Sequence, residues 1–136
     1  MAGLLHNPFF ATVAYFALTG LAMILFLSIF EMVTKYRVWN ELKRGNLAVA
    51  MATGGKIFGV ANIFRFSIQH NDSMGQALAW GSFGFVLLLF SYFVFEFLTP
   101  SIHVDGEIER DNRAIGFIAM IFSIGFSYII GAALSR

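Results

Sequence analysis

Residues 8–30 read PFFATVAYFALTGLAMILFLSIF, a run without a single charged side chain. This run is longer than the ~20 residues that an α-helix needs to cross the hydrocarbon core of a bilayer. Asn7 precedes the run and Pro8 opens it, which is the pattern of an N-cap followed by proline at the first helical position. A cleaved signal peptide would have a basic segment and a shorter apolar run. We therefore expect a membrane-spanning helix here.

Three further runs have the same character. Residues 46–67 are apolar apart from Lys56 and one cation near the end, residues 74–98 carry one acid, Glu96, and residues 114–135 carry no charge before the terminal arginine. Because a backbone in hydrocarbon must satisfy its hydrogen bonds internally, runs of this length form helices. The sequence thus predicts an all-α integral membrane protein with four transmembrane helices.

The composition supports this class and excludes a soluble fold. The chain has 136 residues, the length of one domain, and 58% of them are hydrophobic while 12% are charged. Soluble domains carry roughly 25% charged residues, and a fold this small cannot bury so much apolar surface. Cysteine is absent, which excludes disulfides, thiolate metal sites and cysteine nucleophiles. A formal net charge of +1 is too balanced for a protein that binds nucleic acid.

The polar residues form no pattern typical of catalysis or metal binding. His6, His70 and His103 lie in three separate polar segments, and His103 is expected on the opposite side of the membrane from the other two. The sequence contains no Ser-His-Asp set, HExxH motif, P-loop or glycine-rich nucleotide-binding segment. We therefore expect neither an enzyme nor a bound cofactor or metal ion.

Basic residues in the short loops predict the orientation of the chain. The loops after the first and third helices hold more cations than the opposite side of the membrane does: Lys35, Arg37, Lys43, Arg44, Arg110 and Arg113 against Arg65 and Arg136. Because cytoplasmic loops carry the excess of Lys and Arg, both loops are expected in the cytoplasm and both termini outside. Tyr36 and Trp39 on the inner side and Trp80 on the outer side fit the aromatic belts at the membrane surfaces.

The sequence also contains an internal repeat. Residues 30–34 read FEMVT and residues 95–99 read FEFLT. The match resumes in the loops, displaced by one residue, and pairs Glu41, Arg44 and Asn46 with Glu107, Arg110 and Asn112. Each copy crosses the membrane twice, so the two copies keep the same orientation. We expect a single membrane domain, residues 1–136, built as two parallel two-helix repeats, residues 7–70 and residues 73–136.

A stripe of small residues runs along the second helix. Its members fall on one helix face and end in an amide: Ala48, Ala52, Gly55, Gly59 and Asn62. Small residues let helix backbones approach closely in lipid, where no hydrophobic force drives association. The stripe predicts either self-association into a homo-oligomer or ordinary packing within one chain. The Phe-rich faces elsewhere are expected to contact the lipid bilayer.

Lys56 is the charged residue that lies deepest in a predicted span. It follows Asn46 by ten residues, which places it about 15 Å into a hydrocarbon core of ~30 Å. An ammonium there costs about 2.5 to 3.5 kcal/mol, so it should face protein or water and have a partner. Glu31 and Glu96 near the inner boundary are the candidate partners, directly or through water, and Asn62 is a further intramembrane polar residue. The set predicts either a path for a proton or cation or a structural pairing.

The loop motif of the repeat has two interpretations. An Asn at a helix start satisfies free backbone N–H groups, and an acid upstream can pair with the arginine. The structural interpretation is a helix cap formed twice, once by Glu41, Arg44 and Asn46 and once by Glu107, Arg110 and Asn112. The functional interpretation is a docking surface for a cytoplasmic partner.

Four segments carry a family resemblance: FEMVT, ELKRGNLAVAMATGGKIFGVANIFR, FEFLTP and EIERDNRAIGF. In these segments the chain resembles the YshE/YjfL-like family of bacterial membrane proteins, domain of unknown function 350, over nearly its whole length. The resemblance implies a small multi-pass protein of the bacterial inner membrane, without an established activity or agreed ligand residues. It also implies cytoplasmic membrane-stress or membrane-remodelling proteins as candidate partners.

Two functions follow as hypotheses. One is an oligomeric channel or transporter module that conducts or binds a proton or small cation along Lys56, Glu31 and Glu96. The other is a self-associating subunit or scaffold whose loops at Arg44 and Arg110 recruit a cytoplasmic partner. The short chain and the absence of a recognisable pore sequence favour the second.

Overall fold

The computed structural model describes residues 6–136, which form helices and no strand. Four long helices confirm the four predicted spans, and each is long and apolar enough to cross a membrane. Two short helices lie in the loops between the first and second spans and between the third and fourth. In chain order the helices are α1 (Pro8–Val33), α2 (Val38–Lys43), α3 (Leu47–His70), α4 (Met74–Leu98), α5 (Val104–Glu109) and α6 (Arg113–Leu134).

Side-chain caps begin the four long helices. The side chain of Asn7 accepts a hydrogen bond from the backbone N–H of Phe9 at 2.9 Å, and Ser73 accepts one from Gln76 at 3.2 Å. Asn46 and Asn112 cap α3 and α6 in the same way. These caps satisfy N–H groups that have no partner within the helix, which fixes where each span starts.

The membrane side that holds α2 and α5 is called the loop side below, and the opposite side, with the α3–α4 turn, is called the far side. The core helix is α3, which packs most extensively against α6. At Gly55 an added Cβ would lie 2.7 Å from the Cα of Met120, and at Gly116 it would lie 2.7 Å from the Cα of Ala48. The two backbones are therefore in direct contact, because glycine lacks the side chain that would separate them.

This contact decides where the small-residue stripe lies. Ala48, Ala52, Gly55 and Gly59 are all buried within the chain, and Gly55 and Gly59 face the backbone of α6. The face of α3 that carries the small-residue stripe, a candidate for self-association, is thus covered by α6 of the same molecule. A second copy would have to use another face.

An apolar cluster fills the bundle from the level of Phe30, near the loop side, toward the far side. It is contributed by α1, α3, α4 and α6 and includes Phe30, Val60, Ile63, Phe64, Phe85, Leu88 and Ile130. The ring centroids of Phe26 and Phe85 lie 4.4 Å apart in a stacked pair, and Phe30 meets Phe85 edge to face at 5.3 Å. This cluster is called the far-side plug below, because it fills the bundle between the far side and the polar residues nearer the loops.

A second cluster lies under the loops and corrects the prediction for Tyr36. Tyr36 is 4% exposed and packs with Val49, Val104 and Ile108, so it does not lie in a lipid-facing belt. The reason is that α5 folds back over α3 and covers the ring. Trp39 and Trp80 are exposed, as belt residues are.

The first helix lies at the edge of the bundle. Its one buried residue is Phe30, near the loop side. Phe9 is 83% exposed and Phe16 is 80% exposed. The part of α1 nearest the far side therefore presents large apolar side chains outward, where lipid or another protein surface covers them.

Candidate functional site around Lys56

Lys56 is buried within the protein, and its ammonium reaches toward the loop side. The residue is 6% exposed, and its Nζ lies 3.3 Å from the Oγ1 of Thr34. Thr34 caps the C-terminus of α1, so the charge lies at the level where α1 ends although the backbone of Lys56 is deeper. Lysine side chains in membranes extend toward the nearer membrane surface in this way because the extended conformation shortens the distance from the charge to water.

Two aromatic rings surround the rest of the ammonium. The Nζ lies 5.3 Å from the ring centroid of Phe30 and 4.8 Å from that of Tyr92. A cation at such distances is attracted to the ring face, by about 0.5 to 2 kcal/mol depending on desolvation. Lys56 thus has one hydroxyl and two rings as its described partners.

Neither Glu31 nor Glu96 forms the ion pair with Lys56 that the sequence suggested. The ion pairs in residues 6–136 join Arg44 to Glu41, Arg110 to Glu107 and Arg113 to Asp111. Glu31 is exposed and Glu96 is half-buried. Because α1 and α4 hold these acids on different sides of Lys56, the structure does not bring them together.

Asp105, which the sequence did not single out, is the buried acid of this region. It is 3% exposed and accepts hydrogen bonds from the hydroxyl of Tyr92 and, at 3.1 Å, from the backbone N–H of Lys35. Tyr92 therefore contacts Lys56 through its ring and Asp105 through its hydroxyl. The contact sequence Lys56, Tyr92, Asp105 is called the polar relay below.

One sequence signal could have found Asp105. In α5 the buried residues are Val104, Asp105 and Ile108, so the acid shares the inward face of a short amphipathic helix. An acid on an apolar face is rare unless it has partners. The helix is only six residues long, however, and a pattern of that length does not stand out from a polar loop.

A cavity on the loop side ends at the polar relay. Its volume is about 340 Å³, and five charged or titratable side chains line it: Lys35, Glu96, His103, Asp105 and Glu109. Three of these are acids, so the cavity favours cations and protons over anions. Glu96 and Asp105 thus line one common space, which water can enter from the loop side.

A second cavity lies between α1 and α3 and contains Lys56 and Glu31. Its volume is about 310 Å³, and its walls are mostly apolar. We call it the α1–α3 groove. The two predicted acids consequently belong to different spaces, Glu31 to this groove and Glu96 to the loop-side cavity.

Asn62 lies toward the far side and is satisfied within the chain. Its amide nitrogen donates to the Oγ of Ser127 at 3.0 Å, and its oxygen accepts from the Nε of Arg65 at 3.1 Å. It is buried on the face of α3 that meets α6. The structure therefore places Asn62 in the contact between α3 and α6, separate from Lys56.

The loop between α2 and α3 forms a compact hydrogen-bonded cap. The amide of Asn46 donates to Glu41 Oε1 at 3.1 Å while its oxygen accepts from the backbone of Val49 at 3.0 Å. Arg44 binds the other carboxylate oxygen of Glu41 at 2.9 Å. Gly45 has φ +78°, a conformation that glycine adopts without strain.

The loop between α5 and α6 forms the same bonds with the corresponding residues. Asn112 donates to Glu107 Oε2 at 2.8 Å and accepts from the backbone of Ile115 at 3.3 Å, while Arg110 binds Glu107 Oε1 at 2.7 Å. The hydrogen bonds from Asn112 and Arg110 hold the pKa of the Glu107 carboxyl below its ordinary value. Both motifs thus act as helix caps in this structure.

Tyr36 adds a buried hydroxyl beside Asp105. Its Oη has no hydrogen-bond partner among the described residues. Burial first, and then the carboxylates of Asp105 and Glu109, raise the pKa of this hydroxyl. The phenol therefore stays protonated.

Comparison with known proteins places the chain in a family. A model of the family described as Domain of Unknown Function (DUF350) matches residues 3–134. The chain belongs to this family. The UPF0719 transmembrane protein YshE of Bacillus subtilis (strain 168) is 50% identical over 134 residues, which are 98% of this chain and 100% of the relative. No solved structure matches the chain.

The match confirms the resemblance drawn from the repeated segments. This DUF350 member is a multi-pass membrane protein with four apolar helices. The descriptions of the family and of the relative assign no enzymatic activity. Within the described residues no group of three side chains suits a metal ion.

The two loop caps of this DUF350 protein should differ in their contribution to stability. Asn46 donates to the backbone oxygens of Ile108 and Glu109 as well as to Glu41, whereas Asn112 binds only within its own loop and helix start. We expect Asn46→Ala to cost about 2 kcal/mol and Asn112→Ala about 1 kcal/mol, the upper and middle of the range for N-caps. The thermal stabilities of the two purified variants are compared by heating them in detergent and following the loss of monodisperse protein. Equal midpoints would contradict the expected difference.

Proposed function

We propose that this DUF350 protein is a membrane module that exchanges protons at the buried ammonium of Lys56, with access from the loop side. The observation that carries the proposal is the polar relay, in which the ring of Tyr92 contacts Lys56 while its hydroxyl binds Asp105 at the wall of the loop-side cavity. Because an aromatic ring does not pass a proton, the proton moves between the ammonium and the carboxylate of Asp105 through water that enters from this cavity. Groups of this kind inside a membrane protein mark proton and ion pathways.

The chemistry of the relay favours a proton over a metal cation. An ammonium repels a second cation, but an amine gives and receives a proton. The carboxylates of Glu96 and Asp105 line the cavity next to the relay and would attract protons from water on the loop side. Of the two transported species that the sequence left open, a proton or a small cation, we therefore propose the proton.

The small-residue stripe and the two loop motifs, which favoured a scaffold, have structural roles within the chain. The stripe is covered by α6, and the acids and amides of the loop motifs are used in helix caps. Lys56, in contrast, has no counter-ion among the described residues that would account for its burial as a structural pair. A buried charge without an ion pair destabilises the protein, so such a residue inside a membrane protein is expected to serve a function.

The far-side plug closes the polar relay to water from the far side in this conformation. The cluster around Phe64, Phe85 and Leu88 separates the polar relay from the far side. Proton access is therefore one-sided here, and net transport needs a second conformation in which the plug opens, as in alternating access.

The test is proton flux in proteoliposomes under an imposed diffusion potential. We expect the natural protein to carry protons above the level of empty liposomes and Lys56→Met to lose this flux at equal incorporation. Removing the ammonium also removes an insertion cost of about 2.5 to 3.5 kcal/mol, so the variant should fold at least as well as the natural protein. Monodispersity and thermal stability in detergent check this.

The matched control is Lys43→Met, which removes an exposed cation of α2 outside the relay. We expect it to keep the flux. The proposal is wrong if the natural protein carries no more protons than empty liposomes, or if Lys56→Met carries as many as Lys43→Met.

We also propose the orientation that the basic residues predict, with both loops in the cytoplasm and both termini outside a bacterial inner membrane. The exposed cations of the loop side support it, since Arg44 is 75% exposed and Arg110 is 67% exposed. Cations so placed stay on the cytoplasmic side during insertion.

The division into two parallel repeats, residues 7–70 and residues 73–136, is part of the same proposal. It is supported by the hydrogen bonds that the two loop motifs share, including the bond from the Asn N–H to the backbone oxygen of the Glu, 3.0 Å in one and 2.9 Å in the other. The repeat is interrupted in α5, where Asp105 has no counterpart acid in α2. The acid of the polar relay therefore occurs in the second repeat only, while Lys56 belongs to the first.

A self-associating subunit or scaffold is the second candidate, and the exposed face of α1 favours it. A copy of the chain could cover Phe9 and Phe16, and exposed Arg44 and Arg110 could bind a cytoplasmic partner of the membrane-stress or membrane-remodelling kind. Because the chain has no cysteine, Phe16→Cys alone tests the first point. Disulfide-linked dimers in native membranes at low expression would support self-association through α1, and their absence would count against a symmetric contact centred on Phe16.

A further inference from the structure

The α1–α3 groove combines one buried cation with an apolar wall. Lys56 and Thr34 line it at the level where α1 ends, and Ile24, Leu27 and Ile57 line it as well. Thr34 is ten residues beyond Ile24 on α1, so the apolar wall extends ~15 Å from the polar end toward the far side. This shape and polarity match a lipid headgroup with one acyl chain.

The ammonium in the groove has donors left over. Lys56 carries three N–H groups, and the described structure gives it a single hydrogen bond, to Thr34. The rings of Phe30 and Tyr92 face the rest of the ammonium, but a ring face is a weaker partner than an oxygen atom. The side chain is buried and lines the groove, so an N–H directed into the groove has no oxygen acceptor among the described residues. A phosphate oxygen is the acceptor that lipids offer at this depth.

Glu31 determines which headgroup fits. It lies one helical turn before Thr34, is exposed and lines the same groove. A carboxylate opposes a lipid of net negative charge but attracts an ammonium. One cation and one anion in one groove thus complement a zwitterionic headgroup that carries both charges.

We infer that the α1–α3 groove binds a phosphatidylethanolamine-type phospholipid from the leaflet on the loop side. The phosphate accepts from Lys56, whose ammonium Thr34 holds in place, the amine of the headgroup binds Glu31, and one acyl chain lies along Ile24, Leu27 and Ile57. Trp39, 67% exposed, lines the same groove and lies at the membrane surface, where aromatic side chains contact headgroups. The inference stands independently of proton exchange, since it needs no movement of the far-side plug.

Native mass spectrometry of the full chain in detergent tests the assignment. Phosphatidylethanolamine and phosphatidylglycerol with the same acyl chains are offered separately and as an equal mixture, and a third sample receives inorganic phosphate before the mixture. We expect the natural protein to retain more phosphatidylethanolamine than phosphatidylglycerol, and inorganic phosphate to leave this retention unchanged.

Two variants separate the roles of the charges. Lys56→Met should lose retention of both lipids, because the phosphate loses its donor. Glu31→Gln should keep the phosphate contact and lose the preference for phosphatidylethanolamine. Lys43→Gln and Glu109→Gln, which change exposed charges outside the groove, should behave as the natural protein does.

Three results would overturn the inference. They are unchanged retention in Lys56→Met, a natural protein without preference for the amine-bearing lipid, and displacement of the lipid by inorganic phosphate, which would indicate a simple anion site. Thr34→Val controls for a folding defect in Lys56→Met, because it keeps the ammonium and the side-chain volume. It removes the oxygen that holds the ammonium in place, so retention of both lipids should weaken. Proton flux is measured on the same variants as a separate readout. Failure of the lipid-binding inference and failure of the proton-exchange proposal can therefore be told apart.

Discussion

Gly55→Ala is expected to separate α3 from α6 and to destabilise the protein strongly. The new Cβ would lie 2.7 Å from the Cα and 3.0 Å from the carbonyl oxygen of Met120. Both atoms belong to the backbone of a neighbouring helix and cannot turn aside as a side chain can. Overpacking costs about 1 to 3 kcal/mol where the surroundings give way, and we expect the upper end of that range here.

Gly54→Ala is the matched control, because nothing lies within 4 Å of a Cβ added there. It should leave stability unchanged or raise it slightly, since alanine is a better helix former than glycine. The midpoint of heat-induced aggregation in detergent compares the two variants directly. Equal midpoints would mean that α3 and α6 are not in backbone contact.

Asp105→Ala is expected to have the second large effect, on stability and on proton exchange together. The change leaves the hydroxyl of Tyr92 and the N–H of Lys35 without their acceptor. A buried donor that loses its partner costs about 1 to 3 kcal/mol. We expect a loss of about 2 to 4 kcal/mol for the pair, together with loss of proton flux in proteoliposomes.

Glu109→Ala and Asp105→Asn distinguish these two effects. Glu109 lines the same cavity but is exposed, so its removal should change neither stability nor flux greatly. Asp105→Asn keeps an oxygen acceptor and should retain most of the stability, yet it cannot accept a proton. Normal flux in Asp105→Asn would show that the carboxyl of Asp105 takes no part in proton exchange.

The four spans were predictable because each is a long uncharged run, and hydrocarbon permits only one backbone structure for such runs. The starts of the helices were also readable, since Asn7 and Ser73 carry the side chains that cap a helix. The short helices α2 and α5 were not predicted, because six residues show too little of a helical period to separate them from a polar loop.

The candidate site was predictable only in part. Lys56 stood out because a charge in an apolar run is conspicuous. Its surroundings depend on how α1, α4 and α5 pack around α3, which a single sequence does not specify. Glu31 and Glu96 were predicted from their matching places in the repeat and from their depth, which do not specify helix rotation, and the structure puts them in separate cavities. Asp105 enters the site only because α5 folds back over α3.

Access of water to the ammonium from one side only is the central claim, and Thr34→Cys tests it most directly. The sequence has no other cysteine, and Thr34 Oγ1 lies 3.3 Å from Lys56 Nζ, so the thiol stands beside the charge. A neighbouring ammonium favours the reactive thiolate. Arg44→Cys marks labelling from the loop side, and Asp72→Cys, in the exposed α3–α4 turn, marks labelling from the far side.

We expect a membrane-impermeant thiol reagent to label Thr34→Cys only when it is applied on the side that labels Arg44→Cys. The rate should fall when Lys56→Met is added, since the ammonium that favours the thiolate is then gone. Labelling from the side that reaches Asp72→Cys, labelling from neither side, or a rate that does not depend on Lys56 would contradict a charged centre open to the loop side alone.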